Sequence, residues 1–503
     1  MARFRGRVVV APAFGLLIAA LLLAGCALWQ LPRPADLLAD YRPALRPDVV
    51  VESALIAAMP RYSITVTIDP QSNTYTGTQE VIVPVTGTTA WNDLYFRLYP
   101  NLPQFGGGLE VRGARVNDLV VNYGYEADGT AVHLALPRPF LPGQEAHVWM
   151  AFVGKAQERK PGTYTIFGAS EEILSLTNFY PILAGRRGNA WALDVASPLG
   201  DVGFHDASLY RVEVTVPADQ IVASTGVTVT EAVHDGWVTR RYVHGPAREF
   251  TLMMSRRFQW AERDAYGTVV RSYFLPEDAE AGRLALHYAV AALQIYSDQF
   301  GPYPYRTMAV VEAPLTFRGM EFPGLSLIGE QTYNRYRQDL ENLVVHEVAH
   351  QWWYNQVGSD QTLNPWLDEG LAEWTMYAYY LARYGHFAAE RLREQRWQAP
   401  VRYAVQTNTD RPIGLPVKAY GREDYERTVY AKGALFFAAL RDEIGPEAFH
   451  RLLREYLTRY RWRIASPQDF QALANEIAGR DLSRMFEWWV GRTNLSSSYP
   501  TEP

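Results

Sequence analysis

The chain has 503 residues, which is too long for one ordinary core and predicts two or three domains. Its 48% hydrophobic and 20% charged residues are typical of a folded globular protein and argue against a disordered one. The net charge of −6 does not favour a nucleic-acid-binding protein, which usually presents a basic surface. Cys26 is the only cysteine, so no internal disulfide can form, and any transition-metal site must use His, Asp or Glu.

The first 26 residues have the pattern of a bacterial export signal. Three arginines within the first seven residues precede an apolar run at residues 8–23. The L-A-G-C sequence that ends at Cys26 resembles a lipobox, in which the cysteine is lipidated and becomes the mature N-terminus. The alternative is a retained transmembrane anchor, since residues 8–28 are long enough to span a membrane. Both alternatives predict an exported protein attached to the cell envelope, and the position of the only cysteine favours the lipoprotein.

A short tether that contains prolines is predicted at residues 27–59, and strands follow it. Apolar and polar residues begin to alternate near Tyr62, as in a strand with one buried face. The pairs Asp128-Gly129 and Asp235-Gly236 each lie between two such runs and are typical of hairpin turns. These patterns predict one antiparallel β domain over residues 60–262.

From about Pro276 the spacing of apolar residues changes towards the helical period of 3.6. Four longer helices are predicted, and one short strand is predicted at residues 308–311. The predicted helices cover residues 279–300, 340–354, 365–384 and 431–444. The fold class is therefore α+β, with the N-terminal antiparallel β domain followed by a mainly helical domain over residues 263–503.

The strongest chemical signal is an H-E-x-x-H motif formed by His346, Glu347 and His350. Histidines at positions i and i+4 lie on one face of a helix, so both imidazoles can reach one metal ion. Apolar residues surround the motif, which predicts that this helix packs into the protein. The motif alone leaves open a helix with two incidental histidines, since a chance match is expected in roughly one such chain in a hundred.

A second helix is predicted to begin at Pro365, because Asn364 is a common type of N-cap and Pro is favoured at the first helical position. Glu369 then lies early in this helix, 19 positions after His350 (369 − 350). One Zn²⁺ bound by two histidines and one glutamate keeps a fourth position for water, as catalytic zinc sites do. Zinc acidifies this water, and Glu347 beside the first ligand can accept its proton as the general base.

Three segments of the chain resemble the M1 aminopeptidase family of gluzincins. They are the H-E-x-x-H motif with W-L-x-E-G at residues 366–370, G-M-E at residues 319–321, and V-Y-x-K-G at residues 429–433. They occur in the family's order. The resemblance implies a thermolysin-like zinc peptidase domain in the helical half, with His346, His350 and Glu369 as the metal ligands.

The resemblance also implies the roles of the remaining site residues. Tyr430 would donate a hydrogen bond to the oxyanion of the reaction. Glu321, with Gly319 and Met320, would bind the substrate and hold its free amino group, so that cleavage is counted from the N-terminus. The family uses a further acidic or amide residue from the β domain for this amine, and the sequence does not locate it.

The sequence departs from the family at the amine motif. Arg318 stands where a glycine is usual, and Phe322 replaces an asparagine. Removal of N-terminal amino acids from peptides is favoured over endopeptidase cleavage, which stays open. Glu373 lies one turn after Glu369 and either orients a ligand imidazole or is an exposed helix carboxylate. Core packing is the alternative for Tyr430, because the chain contains 31 tyrosines.

Two further alternatives stay open, a zinc hydrolase of non-peptide substrates and a non-catalytic binding protein on the same fold. The expected partners are peptide substrates and a membrane, through the N-terminal lipid or anchor; the sequence does not indicate the oligomeric state. Full-length members of the family carry a large helical domain after the catalytic one. We expect that domain to be absent, since the chain ends at Pro503.

Overall fold

The computed structural model describes residues 36–159, 166–170, 173–315 and 318–493. Residues 41–503 form one compact unit, and Met1–Asp40 form another, of which only residues 36–40 are described. The predicted export signal and Cys26 lie outside the described residues, as do residues 27–35 of the predicted tether. Within the described ranges, no helix is both long and apolar enough to cross a membrane.

The N-terminal half consists mainly of strands. Its strands are β1 (Arg61–Asp69), β2 (Thr74–Pro84), β3 (Trp91–Arg97), β4 (Gly108–Val116), β5 (Leu119–Val120), β6 (Tyr123–Glu126), β7 (Ala131–Phe140), β8 (Glu145–Lys155), β9 (Gly168–Ser170), β10 (Ile173–Leu176), β11 (Ile182–Leu183), β12 (Arg186–Arg187), β13 (Ala190–Trp191), β14 (Ser208–Pro217), β15 (Ile221–Ser224), β16 (Val227–His234), β17 (Trp237–Ala247) and β18 (Leu252–Ser255). An eight-stranded sheet runs in the order β16-β17-β14-β1-β2-β8-β4-β5. Two four-stranded sheets accompany it, β15-β18-β10-β9 and β11-β3-β7-β6.

The alternating sequence pattern explains these strands. In β1 the side chains of Tyr62, Ile64, Val66 and Ile68 are buried, while their neighbours are more exposed. Both predicted hairpins are confirmed: β6 pairs with β7, and β16 pairs with β17. Asp235 and Gly236 both have positive φ angles, as the tight turn requires. Among the named strands of this half, the described pairs are antiparallel except β1 with β14, which run parallel.

The second half contains the longer helices. Its helices, with the short Ser53–Ala57 helix counted as α1, are α2 (Ala279–Phe300), α3 (Leu340–Ala349), α4 (Trp366–Tyr384), α5 (His386–Leu392), α6 (Ala399–Gln406), α7 (Arg422–Tyr425), α8 (Gly433–Ile444), α9 (Pro446–Tyr460), α10 (Pro467–Ala478) and α11 (Ser483–Gly491). Two π-helical segments cover Arg393–Gln398 and Glu426–Lys432. Single 3₁₀ turns lie at Ala39–Ala44, Tyr99–Asn101, Pro276–Asp278, Glu330–Thr332, Arg337–Asp339 and Val417–Ala419.

A five-stranded sheet lies beside these helices. Its strands are β19 (Gln259–Ala265), β20 (Thr268–Phe274), β21 (Thr307–Ala313), β22 (Gly319–Phe322) and β23 (Leu325–Gly329), in the order β19-β20-β21-β23-β22, and a two-stranded ladder joins β24 (Val357–Gly358) to β25 (Arg463–Ile464). The predicted strand at residues 308–311 is confirmed as β21. Strand β19 spans the predicted domain boundary between residues 262 and 263, and it pairs with β20 of the second half.

The predicted helices at residues 279–300 and 365–384 are confirmed by α2 and α4. The prediction for residues 340–354 is wrong at its C-terminal end, because α3 ends at Ala349 and His350 caps it. The chain then turns tightly, with the Asn355 N–H bonded to the His350 carbonyl. Helix α3 packs between α2 and the five-stranded sheet, where Ser326 on β23 donates to the Glu347 carbonyl. This packing places the H-E-x-x-H motif in the interior of the second half.

Candidate metal centre

Three buried side chains from α3 and α4 converge on one point. His346 lies in the last turn of α3 and His350 at its C-cap, while Glu369 lies in the first turn of α4. The two imidazole Nε2 atoms are 3.1 Å apart, and each is 3.2 Å from Glu369 Oε2. Among the residues that the structure describes, this is the group of His, Cys, Asp or Glu side chains close enough to hold a metal ion.

The chemistry of these donors fits a zinc ion. His350 Nδ1 lies 3.0 Å from the Trp353 carbonyl oxygen, and His346 Nδ1 lies 3.4 Å from Glu373 Oε2. Each Nδ1 therefore faces an acceptor oxygen, which favours the tautomer with its proton on Nδ1 and both Nε2 lone pairs free for a metal. Two imidazoles and one carboxylate are the ligands that catalytic zinc uses in proteins.

Glu373 is buried, so the alternative of an exposed helix carboxylate is wrong. Its carboxylate accepts two hydrogen bonds from the Arg396 guanidinium, at 2.6 and 2.9 Å, and one from Trp397 Nε1 at 3.0 Å. Burial alone would raise the pKa of Glu373, but Arg396 and His346 hold that pKa well below its usual range. The charged carboxylate is thereby fixed beside His346 Nδ1, where it orients the imidazole.

The pKa values of His346 and Glu369 also reflect a balance between burial and neighbouring charges. Burial lowers the pKa of His346, but the carboxylates of Glu369 and Glu373 outweigh burial and raise it to about 9. For Glu369, burial raises the pKa, but the two imidazoles outweigh burial and lower it to about 2. The buried carboxylates of Glu369 and Glu373 thus favour positive charge at this point, which a proton or a metal cation can supply.

Glu347 lies beside the triad with an available carboxylate oxygen. Its side chain is buried, and its Oε2 has no hydrogen-bond partner within the described part of the chain. Burial raises the pKa of Glu347 to about 8. A Cβ atom on Gly319 would lie 2.2 Å from Glu347 Oε1, so only glycine fits at the start of β22. The adjacent Met320 is buried and packs in the core.

Tyr430 lies beside Glu369, in the π-helical segment before α8. Its hydroxyl donates to Glu369 Oε1, and its ring centroid is 5.7 Å from that of His346. Burial raises the pKa of Tyr430 well above its usual value, so the hydroxyl keeps its proton at neutral pH. Lys432 anchors this segment: its buried Nζ donates to both Asp410 carboxylate oxygens, at 3.0 and 2.9 Å.

Glu321 on β22 forms a second acidic group close to the metal centre. Gln361 Nε2 donates both to Glu321 Oε1 at 3.1 Å and to Asp201 Oδ2 at 2.9 Å. Asp201 lies in the loop before β14, so the N-terminal half supplies it. Both carboxylates are buried, and burial raises both pKa values. Two buried carboxylates that share one neutral amide donor favour a bound cation.

The sequence analysis missed Asp201 and Gln361. Neither residue belongs to a motif, and each lies in an irregular segment with no apolar periodicity around it. Asp368, to which the sequence assigned no role, is also buried, and its Oδ1 accepts the Glu369 N–H at 3.0 Å. Burial raises the pKa of Asp368 to about 7.

Residues 284–489 match the model of the peptidase family M1 domain. The chain resembles an M1 peptidase domain over this segment. It is 24% identical to aminopeptidase M1-A of Oryza sativa subsp. japonica, over 86% of this chain and 50% of that protein. It is also 26% identical to endoplasmic reticulum aminopeptidase 1 of Mus musculus, over 46% of this chain and 26% of that protein. The chain thus spans about half the length, or less, of these curated relatives.

A solved structure shows the same fold over most of this chain. The M1 zinc metallopeptidase from Deinococcus radiodurans has a TM-score of 0.66 at 21% sequence identity, covering 88% of this chain and 96% of that one. A mutant of the Deinococcus enzyme, crystallised with a Tyr-Ser-Ala substrate, has a TM-score of 0.64 at 21% identity and covers the same shares. The predicted arrangement of an antiparallel β domain followed by a helical domain is therefore confirmed.

Proposed function

We propose that this protein is a zinc-dependent aminopeptidase that removes N-terminal amino acids from peptides. One observation carries the proposal: the His346, His350 and Glu369 triad lies beside a buried carboxylate pair, Glu321 and Asp201. A metal centre cleaves the bond, and a cation-binding pocket next to it selects a chain that begins with a protonated amine. The family domain and the aminopeptidases among the relatives support the same reaction.

His346, His350 and Glu369 would hold one zinc ion. When bound, zinc supplies Lewis-acid chemistry, lowering the pKa of water and polarising the scissile carbonyl. Glu347 accepts the water's proton at Oε2, the carboxylate oxygen that has no other partner in the described residues. The same carboxyl group then donates the proton to the nitrogen of the leaving amine.

Tyr430 and Glu321 each act on a charged group of the substrate, the developing oxyanion and the α-ammonium group. The Tyr430 hydroxyl donates a hydrogen bond to the carbonyl oxygen, on which negative charge develops as the carbonyl carbon is attacked. Glu321 and Asp201 accept hydrogen bonds from the α-ammonium group, and Gln361 holds these two carboxylates together. Asp201 fits the residue that M1 aminopeptidases take from the β domain for this amine.

Hydrolysis of amino-acid anilides and short peptides, each with a free and an N-acetylated N-terminus, tests the proposal. We expect hydrolysis of the free-amine substrates only, its loss with a chelator, and its recovery with Zn²⁺. Glu347→Gln keeps the side-chain volume and should bind zinc without turnover. Equal cleavage of acetylated peptides would contradict amine recognition, and wild-type rates in Glu347→Gln would contradict the assigned base.

We also propose that the protein is exported and attached to the cell envelope through a lipid on Cys26. The sequence of residues 1–26 supports this proposal, and a retained N-terminal anchor is the alternative. Cell fractionation, followed by mass spectrometry of the mature N-terminus, distinguishes the two.

A further inference from the structure

Tyr354, four residues after the second histidine, has a strained backbone. Its φ is +107°, in the left-handed region that side chains with a Cβ atom rarely adopt. Every other non-glycine residue with positive φ in the described ranges lies between +47° and +65°, and most of these are Asn or Asp. Tyr354 is also buried, at 3% exposure, so solvent does not account for its conformation.

The strained angle orients the peptide group that contacts His350. The Trp353 carbonyl lies 3.0 Å from His350 Nδ1, and the Tyr354 N–H of the same peptide group donates to the Val357 carbonyl at 2.8 Å. Rotation about φ of Tyr354 sets how this peptide plane is turned relative to the rest of the residue. At an ordinary negative φ, with the rest of Tyr354 held in place, the carbonyl would turn away from the imidazole.

Residues of the N-terminal half hold the rest of Tyr354 in place. Arg248 Nε donates to the Tyr354 carbonyl at 2.7 Å, and the guanidinium lies 5.6 Å from the centroid of the Tyr354 ring. The Tyr354 hydroxyl donates to Glu249 Oε1, which is also 2.9 Å from His205 Nε2. Arg248 and Glu249 directly follow β17, and both are fully buried.

We propose that Tyr354 is a positioning residue for the metal centre. Its side-chain and carbonyl contacts with Glu249 and Arg248 stabilise the positive φ, which presents the Trp353 carbonyl to His350 Nδ1. That carbonyl keeps the Nδ1 proton in place and the Nε2 lone pair directed at the metal. The β domain therefore tunes the affinity for zinc, and this inference rests on the zinc site of the proposed function.

The matched pair Tyr354→Ala and Tyr354→Gly tests the inference through zinc affinity, measured by competition with a chromogenic chelator. Both variants remove the contact with Glu249, but only glycine adopts φ = +107° without strain. We expect Tyr354→Ala to bind zinc about 10- to 100-fold more weakly than wild type, as for other losses of a ligand's hydrogen-bond partner. Tyr354→Gly should bind zinc at least about tenfold more tightly than Tyr354→Ala.

Tyr354→Phe removes the hydroxyl alone and keeps the ring, so it covers the case in which the alanine variant does not fold. It should bind zinc measurably more weakly than wild type. The same Ala and Gly substitutions at Tyr266, which is exposed with φ of +56° and remote in sequence from the triad, serve as controls and should leave zinc affinity unchanged.

Two results would overturn the inference: equal zinc affinities for Tyr354→Ala and Tyr354→Gly, or a wild-type affinity in Tyr354→Phe. A packing role alone predicts that glycine is no better than alanine. Absence of zinc binding by the wild-type protein would instead contradict the proposed function, so the two failures are distinguishable.

Discussion

The two oxygens of the Glu369 carboxylate face different partners. Oε2 is 3.2 Å from the Nε2 atom of each histidine, while Oε1 accepts the hydrogen bond of the Tyr430 hydroxyl. Tyr430 is therefore tied to a proposed metal ligand, and in the proposed mechanism its proton lies next to the oxygen on which negative charge develops. A donor that is already oriented needs little reorganisation during the reaction.

Tyr430→Phe should lower kcat on the order of a hundredfold or more, because it removes this donor while the three metal ligands stay in place. Zinc content, measured by atomic absorption, should stay close to one ion per chain. Tyr425→Phe is the matched control, since its ring lies 5.8 Å from that of Tyr430 and its hydroxyl has no partner among the described residues. A normal rate in Tyr430→Phe would refute the assigned role.

At the scale of elements, α4 and α8 approach each other through two glycines. A Cβ atom on Gly370 would lie 3.0 Å from Gly433 Cα, and one on Gly433 would lie 3.1 Å from Gly370 Cα. Gly370 follows the ligand Glu369 directly, and Gly433 follows Tyr430 by three residues. The close contact of the two backbones thus brings the Tyr430 hydroxyl within hydrogen-bond reach of Glu369.

Gly370→Ala should push these two segments apart by a few tenths of an ångström. We expect a loss of about 1–2 kcal/mol in the free energy of unfolding, because the free-energy cost of overpacking exceeds the gain from the higher helix propensity of alanine. The kcat should fall at least about tenfold as Tyr430 shifts. Gly491→Ala, in α11 with no atom within 4 Å of the added Cβ, is the control and should be neutral or slightly stabilising. Denaturant unfolding and steady-state kinetics check both variants, and a wild-type kcat in Gly370→Ala would contradict the argument.

For the whole molecule, Arg248 joins the two halves. It is fully buried, and its guanidinium donates to three backbone carbonyls: Tyr354 at 2.7 Å, His205 at 3.1 Å and Arg463 at 2.9 Å. His205 belongs to the N-terminal half, and the two other carbonyls belong to the catalytic half. Since Asp201 also approaches Glu321 from the N-terminal half, the proposed amine pocket depends on this junction.

Arg248→Met should lower the free energy of unfolding by at least about 2 kcal/mol, because it leaves two buried carbonyls and one partly buried carbonyl without their donor while keeping most of the apolar volume. Arg240→Met is the control, since its ion pair with Glu231 is partly exposed and should contribute no more than about 1 kcal/mol. Urea denaturation measures both values. A change of less than about 1 kcal/mol in Arg248→Met would show that the junction is held by other contacts.

The sequence by itself determined those local features that depend only on residues close together in the chain. The spacing of His346 and His350 places both on one helical face, and the helix-start signal places Glu369 in the first turn of the next helix. The Asp-Gly pairs likewise specify their hairpins, because the turn conformation depends on those two residues. Tyr430 and Glu321 were assigned through the family resemblance rather than through local physics.

Only the tertiary structure decided which distant segments meet. Asp201 and Gln361 join Glu321 because an N-terminal loop packs against the catalytic half, and no local pattern encodes that contact. Tertiary contacts also set the end of α3 at Ala349 and the positive φ of Tyr354. The apolar sequence after His350 favours a longer helix, but buried contacts with Arg248 and Glu249 stabilise the tight turn instead. Long-range packing and buried hydrogen bonds outweigh local propensity there, because together they contribute more free energy than the helical preference of a few residues.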